Sequence, residues 1–189
     1  MEEQNRSSVP AISRGRLEVL YDGIFAIAMT ILVLELRVPE LVDRHSVAEL
    51  ASALAQHGYT FGSYLISFAM LGLFWYRHNL QYRHVRVVTK GMLALYLVQL
   101  AAAAFFPFCA ALLGRYPTNG LSIVVYIGCV MVYNWASFTT WVVGWRSGAL
   151  VSDVTVADYR RSRNMVLRGG LVISIFFAFY LIKILASKG

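Results

Sequence analysis

Five long apolar runs dominate this chain, and they limit what it can fold into. A helix needs about 20 mainly apolar residues to cross a bilayer, because lipid offers no partners for unpaired backbone groups. Only 14% of the 189 residues are charged, whereas about 25% are charged in a typical soluble domain. We therefore predict a single all-α membrane domain over residues 1–189, a bundle of five transmembrane helices at about 16–38, 59–76, 91–113, 121–145 and 166–185.

A shorter helix is predicted between the first two runs, at about residues 46–57. Ser46 and Glu49 have the spacing of a capping box. Val47, Leu50 and Leu54 recur at helical spacing. The apolar positions are too few to cross a bilayer, so we expect this helix to lie along the membrane surface and to contact lipid.

Basic residues are concentrated in alternate connections between the runs. Since Lys and Arg favour cytoplasmic loops, this pattern predicts a multi-pass protein of the cell membrane with a cytoplasmic N-terminus. The N-terminus also lacks the features of a cleaved signal peptide. The net charge of +7 lies in these short clusters, so we predict no nucleic-acid partner. The clustered residues are Arg6, Arg14, Arg16, Arg77, Arg83, Arg86, Lys90, Arg146, Arg160, Arg161, Arg163 and Arg168.

Motifs of enzymes and metal sites are missing from the sequence. It contains no Gly-rich phosphate loop, nucleophile elbow, HExxH motif or paired catalytic carboxylates. Cys109 and Cys129 lie inside apolar runs without companions at metal-ligand spacing. His78 and His84 share one basic stretch, whereas haem usually takes axial ligands from separate helices. We predict a protein that is not an enzyme and that holds no metal and no cofactor.

Asp22 stands out because it lies just inside the first apolar run, RLEVLYDGIFAIAMTILVLELRVPE. A charge within a membrane helix is costly and is treated by default as part of a functional site. Arg16, Arg77 and His78 are its expected partners, and Trp75 lies in the same stretch at the end of the second run. The alternative is a carboxylate that reaches the interfacial region along its own side chain.

Four residues of the same run fall on one helical face. At 100° per residue, Ile27, Thr30, Ile31 and Leu34 lie together, while Asp22 projects about 140° away from Ile27. The first helix therefore has an apolar branched face and a polar anchor that points elsewhere. From the residues alone, the apolar face could equally serve packing or lipid contact.

These residues resemble the first helix of the TMEM175 family of potassium channels, whose signature is Arg, three residues, Phe-Ser-Asp and then Gly. Arg16, Asp22 and Gly23 match, while Leu20 and Tyr21 replace the Phe and Ser. The stretch LGLFWYRHN is similar to the Trp and His at the end of the family's second helix. The stretch LALYLVQLAAAAFFPFCAALLGRYP is similar to its third helix.

The resemblance implies a homotetramer in which the first helix of each subunit lines a central pore for potassium ions. The positions that match the family's apolar constriction are Ile27, Ile31 and Leu34, with Thr30 adjacent. A polar network behind the pore helix would comprise Arg16, Asp22, Trp75 and His78. The family is expected to have six spans per subunit, one more than we predict here.

The sequence thus favours a potassium-selective, leak-type channel with a hydrophobic constriction. A proton-coupled secondary transporter that uses Asp22 and His78 is the alternative. Repeated halves and broken helices, which many transporters show, are not evident in the sequence. A non-conducting subunit of a larger membrane complex is a third interpretation.

Overall fold

The computed structural model describes residues 12–151 and 154–186, and these residues form a bundle of α-helices, so the all-α prediction is confirmed. Arg6 lies outside the described residues. The predicted short helix is present as α2 and is capped by the Ser46 side chain, which accepts a hydrogen bond from the Glu49 backbone. The helices are α1 (Arg14–Ile31, continued by a 3-10 turn at Leu32–Glu35), α2 (Val47–Gln56), α3 (Gly58–Tyr82), α4 (Lys90–Arg115), α5 (Gly120–Arg146) and α6 (Val156–Ala186).

Four of the described helices are long and apolar enough to cross a membrane, namely α1 with its 3-10 turn, α4, α5 and α6. The predicted second span lies on α3, which has 25 residues and a length of about 37 Å. Helix α3 is thus long enough to cross, but Gly, Ser, Thr and Tyr residues interrupt its apolar run, and it is not among the helices apolar enough to cross. Ser63 and Ser67 of α3 are buried inside the bundle.

The first helix is shorter than predicted. Its regular α-helical part ends at Ile31, and the 3-10 turn ends at Glu35, three residues before the predicted boundary at residue 38. Pro39 lies four residues after Glu35, and it disfavours the helical region for Val38, the residue before it, so the helix does not reach the predicted boundary. Leu34 therefore lies in the 3-10 turn, where each residue advances about 120° instead of 100°.

The predicted basic clusters lie together at one end of the bundle, here called the basic end. The start of α1 meets the end of α3, where the Tyr82 hydroxyl donates to the Arg14 carbonyl at 2.7 Å. The α3–α4 connection meets the α5–α6 connection, where the Arg86 backbone N–H donates to the Ala149 carbonyl at 2.7 Å. Successive long helices therefore alternate in direction, as the positions of their basic residues require.

Two glycines allow the helices to approach closely. A Cβ at Gly114 of α4 would lie 3.1 Å from the Thr60 Cα of α3, and one at Gly170 of α6 would lie 2.6 Å from the Asn134 amide nitrogen of α5. Small residues are used in this way at the interfaces of membrane helices, where close backbone approach increases van der Waals packing. The contacts leave α4 and α5 central in the bundle, with α1, α3 and α6 packed around them.

Candidate functional site: the two faces of the first helix

One face of α1 is completely covered by the rest of the chain. The residues on this face are spaced by three or four positions, which keeps them in one stripe of the helix. They pack into the core that α3, α4 and α5 form. This covered face consists of Leu17, Tyr21, Phe25 and Ala28, with Leu32 from the 3-10 turn.

The opposite face of α1 is apolar and open in the single chain. Ile27 is 59% exposed, Ile31 is 41% exposed and Leu34 is 72% exposed. Gly23 and Thr30 are also exposed on this side of the helix. The structure thus places the four predicted constriction residues outside the core of their own subunit. We call Gly23, Ile27, Thr30, Ile31 and Leu34 the open face.

Thr30 directs its hydroxyl hydrogen back to its own helix. Its Oγ1 lies 3.0 Å from the Ala26 carbonyl and 2.9 Å from the Ile27 carbonyl, both of which accept from it. This local bond is common for Ser and Thr inside helices and satisfies the donor without a partner on another helix. The oxygen lone pairs of Thr30 therefore remain available as acceptors on the open face.

Asp22 is held by a residue from α3. The Trp75 indole Nε1 donates to the Asp22 Oδ1 at 2.8 Å, so two members of the predicted polar network are in contact. Arg77, another expected partner of Asp22, instead directs its guanidinium to the Asn134 Oδ1 at 3.5 Å. The expectation for Arg77 was wrong because Arg77 and Trp75 are about 200° apart around the α3 axis.

Arg16 is exposed at the start of α1. Among residues 12–151 and 154–186 of one chain, its side chain has no hydrogen bond or ion pair. The structure of the single chain therefore does not join Arg16 to Asp22 or to His78, although the resemblance groups the three.

His78 lies behind α1 in a cage of tyrosine rings. Its imidazole is stacked on the Tyr21 ring with 3.3 Å between the ring centroids, and on the Tyr82 ring at 5.0 Å. The edge of Tyr96 closes a third side at 5.5 Å. The His78 Nε2 is buried and has no hydrogen-bond partner among the described residues. His78 therefore contacts α1 through Tyr21 and not through Asp22.

Tyr21 is the functional residue that the sequence reasoning missed. Its hydroxyl donates to the Gln99 Oε1 of α4 at 3.1 Å and lies 2.6 Å from the Tyr133 hydroxyl of α5. Gln99 in turn donates through Nε2 to the Thr140 Oγ1 of α5 at 2.9 Å. One side chain of α1 is thus tied to two other helices. The polar residues Gln99 and Thr140 inside apolar runs were the signal that could have indicated this network.

The described residues contain no group of three His, Cys, Asp or Glu side chains close enough to hold a metal ion. Cys109 and Cys129 are buried and not joined by a disulfide. His78 and His84 occupy separate surroundings, since His84 faces the ring of Trp141. The chemistry of the site is therefore that of hydrogen bonds, aromatic packing and an open apolar surface.

Comparison with known proteins gives a family match over just under half of the chain. The model of the family described as "Endosomal/lysosomal potassium channel TMEM175" matches residues 16–107, which include every residue named in the predicted constriction and polar network. A potassium channel of Streptomyces collinus is 32% identical over 102 residues, which are 54% of this chain and 48% of that protein.

A mouse protein named endosomal/lysosomal proton channel TMEM175 is 31% identical over 130 residues, which are 65% of this chain and 26% of that protein. The chain thus spans about half, or less, of the length of these curated relatives. The crystal structure of a lysosomal potassium-selective channel TMEM175 homolog from Chamaesiphon minutus is similar with a TM-score of 0.74 at 25% identity, covering 89% of this chain and 87% of that one.

Proposed function

Because the TMEM175 family model matches residues 16–107, we propose that this chain belongs to that family, assembles as a homotetramer in the cell membrane and conducts potassium ions as a leak-type channel. The names of the Streptomyces and Chamaesiphon relatives support potassium as the permeant ion. In this proposal the basic end of the bundle is cytoplasmic, as its arginines favour.

The observation that carries the proposal is the contrast between the covered and open faces of α1. A helix that is fully packed on one side leaves much of the surface of Ile27, Ile31 and Leu34 exposed on the other. Four copies arranged with these faces inward would enclose a narrow apolar passage. Each copy would contribute an equivalent ring of side chains at each level of the passage.

Selectivity then follows from the cost of dehydration. A narrow ring of branched apolar side chains disfavours water, so an ion must lose part of its hydration shell to pass. Potassium ions hold their water less strongly than sodium ions because they are larger at equal charge. The channel prefers potassium without fixed coordinating carbonyls, and the Thr30 oxygen can offer a partial replacement for lost water.

The polar contacts keep α1 in position and do not touch the ion. Asp22 and Trp75 join α1 to α3 at 2.8 Å, and Tyr21 joins it to Gln99 and Tyr133. Because α1 is bonded to three other helices, it presents the open face in one orientation. This role separates the network residues Asp22, Trp75 and His78 from the constriction residues. Arg16 is exposed, and we place it at a contact with a neighbouring subunit.

A proton-coupled transporter that uses Asp22 and His78 is less well supported by the geometry. The Trp75 indole donates a hydrogen bond to the Asp22 carboxylate, while the ring of Tyr21 covers one face of the His78 imidazole. The two titratable groups therefore have no hydrogen bond between them through which a proton could pass. The name of the mouse relative makes the proton a second candidate for the conducted ion.

Recording from the purified full chain in planar bilayers tests the proposal. With potassium on one side and sodium on the other, we expect unitary currents whose reversal potential shows that potassium is more permeant than sodium. Ile27→Asn should make the ring easier to wet and lower the preference for potassium severalfold. Ile175→Asn, on the exposed side of α6, is the matched control and should leave the reversal potential unchanged.

Three results would overturn parts of this proposal. The absence of unitary currents would support a transporter or a non-conducting subunit. A reversal potential that follows a pH gradient and ignores potassium would make the proton the conducted ion. An unchanged reversal potential in Ile27→Asn would remove Ile27 from the ion pathway.

A further inference from the structure

A cavity opens at the basic end of the bundle, away from the open face of α1. It has a volume of about 260 Å³ and lies between the end of α3, the end of α5 and the start of α6. Three arginines, Arg77, Arg83 and Arg161, line it together with His84, and Trp141 forms part of the wall. We call this space the basic cavity.

The positive charge of the basic cavity is only partly neutralised by the described part of the chain. Asp158 is the carboxylate in its lining, and its Oδ2 accepts from the Thr155 hydroxyl at 2.6 Å and from the Thr155 backbone N–H at 3.3 Å. No ion pair joins a described carboxylate to Arg77, Arg83 or Arg161. Among the described residues, three guanidinium groups therefore share one lining carboxylate, Asp158, whose charge acts mainly on Arg161 and His84.

Arg77 shows the imbalance most clearly because it is half-buried. Its two terminal nitrogens each reach the Asn134 Oδ1 only at 3.5 Å, the outer limit of a hydrogen bond. A cation withdrawn from water is costly unless it is paired and fully hydrogen-bonded. An anion in the cavity would supply the missing partner.

We propose that the basic cavity binds a phosphate group. Guanidinium groups match phosphate oxygens through paired, charge-assisted hydrogen bonds, which makes arginine well suited to this ligand. Basic pockets between membrane helices on the cytoplasmic side bind phosphorylated lipid headgroups in this manner. Arg77, Arg83 and Arg161 are the ligands in this proposal, and Trp141 closes the cavity from the side of the core.

The phosphate could belong to a lipid headgroup or to a soluble phosphate, and the surroundings favour the lipid. Met165 of α6 lines the cavity and is 59% exposed. Leu171 and Val172, farther along the same helix, are also exposed apolar side chains. With its headgroup in the cavity, a lipid could place its acyl chains against these apolar side chains of α6. This binding needs a membrane-spanning bundle but does not depend on ion conduction.

Native mass spectrometry of the purified full chain, with phosphatidic acid or phosphatidylcholine added, measures this binding directly. We expect retention of phosphatidic acid, whose phosphate is terminal, and weak retention of phosphatidylcholine. Arg83→Gln with Arg161→Gln should weaken phosphatidic acid binding by about tenfold or more, because the double variant removes two charge-assisted partners of the phosphate. The matched control is Arg160→Gln with Arg168→Gln, which removes the same charge from exposed residues outside the cavity.

Thermal unfolding with inorganic phosphate distinguishes the two sources of the ligand. Stabilisation that requires Arg83 and Arg161, and that phosphate alone provides in full, would identify a soluble phosphate as the ligand and support the site. A larger effect of phosphatidic acid would identify the lipid. Equal losses in the two double variants, or no binding by the wild-type chain to either probe, would overturn the proposal.

Discussion

The two faces of α1 differ in what their own subunit provides for them. The covered face is packed against α3 and α4, with Tyr21 and Phe25 almost completely buried. The open face carries Ile27 and Leu34, which are equally apolar but mostly exposed. Hydrophobic character alone therefore does not separate the two faces. The difference is that the covered face also has polar and aromatic groups with specific partners.

This contrast predicts that stability and the proposed permeation can be separated within one helix. Substitutions on the covered face should change how firmly α1 is held, since Tyr21 bonds to α4 and contacts α5. Substitutions on the open face should change the stability of the folded chain less, because Ile27 and Leu34 are mostly exposed and lose fewer contacts there. The same helix can thus be tested in two independent ways.

The largest expected effect is that of Tyr21→Ala on stability. The change removes a buried ring, its stacking on His78 and its bond to Gln99, which together should cost about 3–5 kcal/mol of unfolding free energy. Tyr21→Phe keeps the ring and should cost about 1–2 kcal/mol through the unpaired Gln99. Chemical unfolding of the purified chain in detergent measures both. A Tyr21→Ala protein as stable as the wild type would contradict the assignment of Tyr21 as the main anchor.

Asp22→Ala should have an intermediate effect, because it removes one charge-assisted bond at the edge of the covered face. We expect a loss of about 1–2 kcal/mol in unfolding free energy and a lower yield of assembled channel. Ion preference should stay nearly constant, since Asp22 contacts Trp75 and not the open face. Size-exclusion chromatography and bilayer recording measure the two quantities.

Trp75→Phe is the partner variant for the same bond. It should reproduce the assembly defect of Asp22→Ala while leaving the carboxylate in place. A clear shift in the preference for potassium over sodium in Asp22→Ala, absent in Trp75→Phe, would place Asp22 in the ion pathway. The separation of roles between the two faces of α1 would then be wrong.

The smallest effect is expected at Glu49 of α2, which belongs to neither face of α1. Backbone N–H groups of Val42 and Asp43 donate to its carboxylate at 2.8 and 3.0 Å, and these bonds hold the pKa of Glu49 below its usual value. Because the folded-state pKa is lowered, this stabilisation is present above the unfolded-state pKa and is lost as the pH falls through the folded-state value.

Hydrogen exchange at the Val42 and Asp43 amides should therefore accelerate at acidic pH relative to the intrinsic rate. Glu49→Gln should weaken the protection at neutral pH and remove its pH dependence. Glu40→Gln, at another exposed carboxylate of the same connection, is the control and should change neither. Protection that is independent of pH in the wild-type chain would contradict the role of the Glu49 carboxylate.

The sequence was sufficient to predict the helices and the composition of the open face. Apolar length predicts where long helices occur, and the 100° periodicity places Ile27, Ile31 and Thr30 on one side. The end of α1 was predicted too late because the local effect of Pro39 and the change to a 3-10 turn are invisible to a hydropathy pattern. The start of α6 was predicted too late as well, since the basic residues from Arg160 onward continue the helix.

The polar network was only partly predictable. Trp75 and Asp22 could be paired because both lie near one end of neighbouring helices. Tyr21 was interpreted only as a replacement in a family motif, although it reaches Gln99, which is 78 positions away in the chain. Such contacts depend on which helices pack together and at which level, and no local pattern of the sequence encodes that arrangement.

The central claim is that the open face of α1 lines the ion pathway, and cysteine accessibility tests it most directly. Silver ions are small, monovalent and thiol-reactive, so they should enter a potassium pathway but not the lipid. In bilayer recordings, silver should block Ile27→Cys channels irreversibly and leave Ile175→Cys channels unaffected. The wild-type chain, whose Cys109 and Cys129 are buried, should also be unaffected. Block of Ile175→Cys alone, or no block of Ile27→Cys, would contradict the claim.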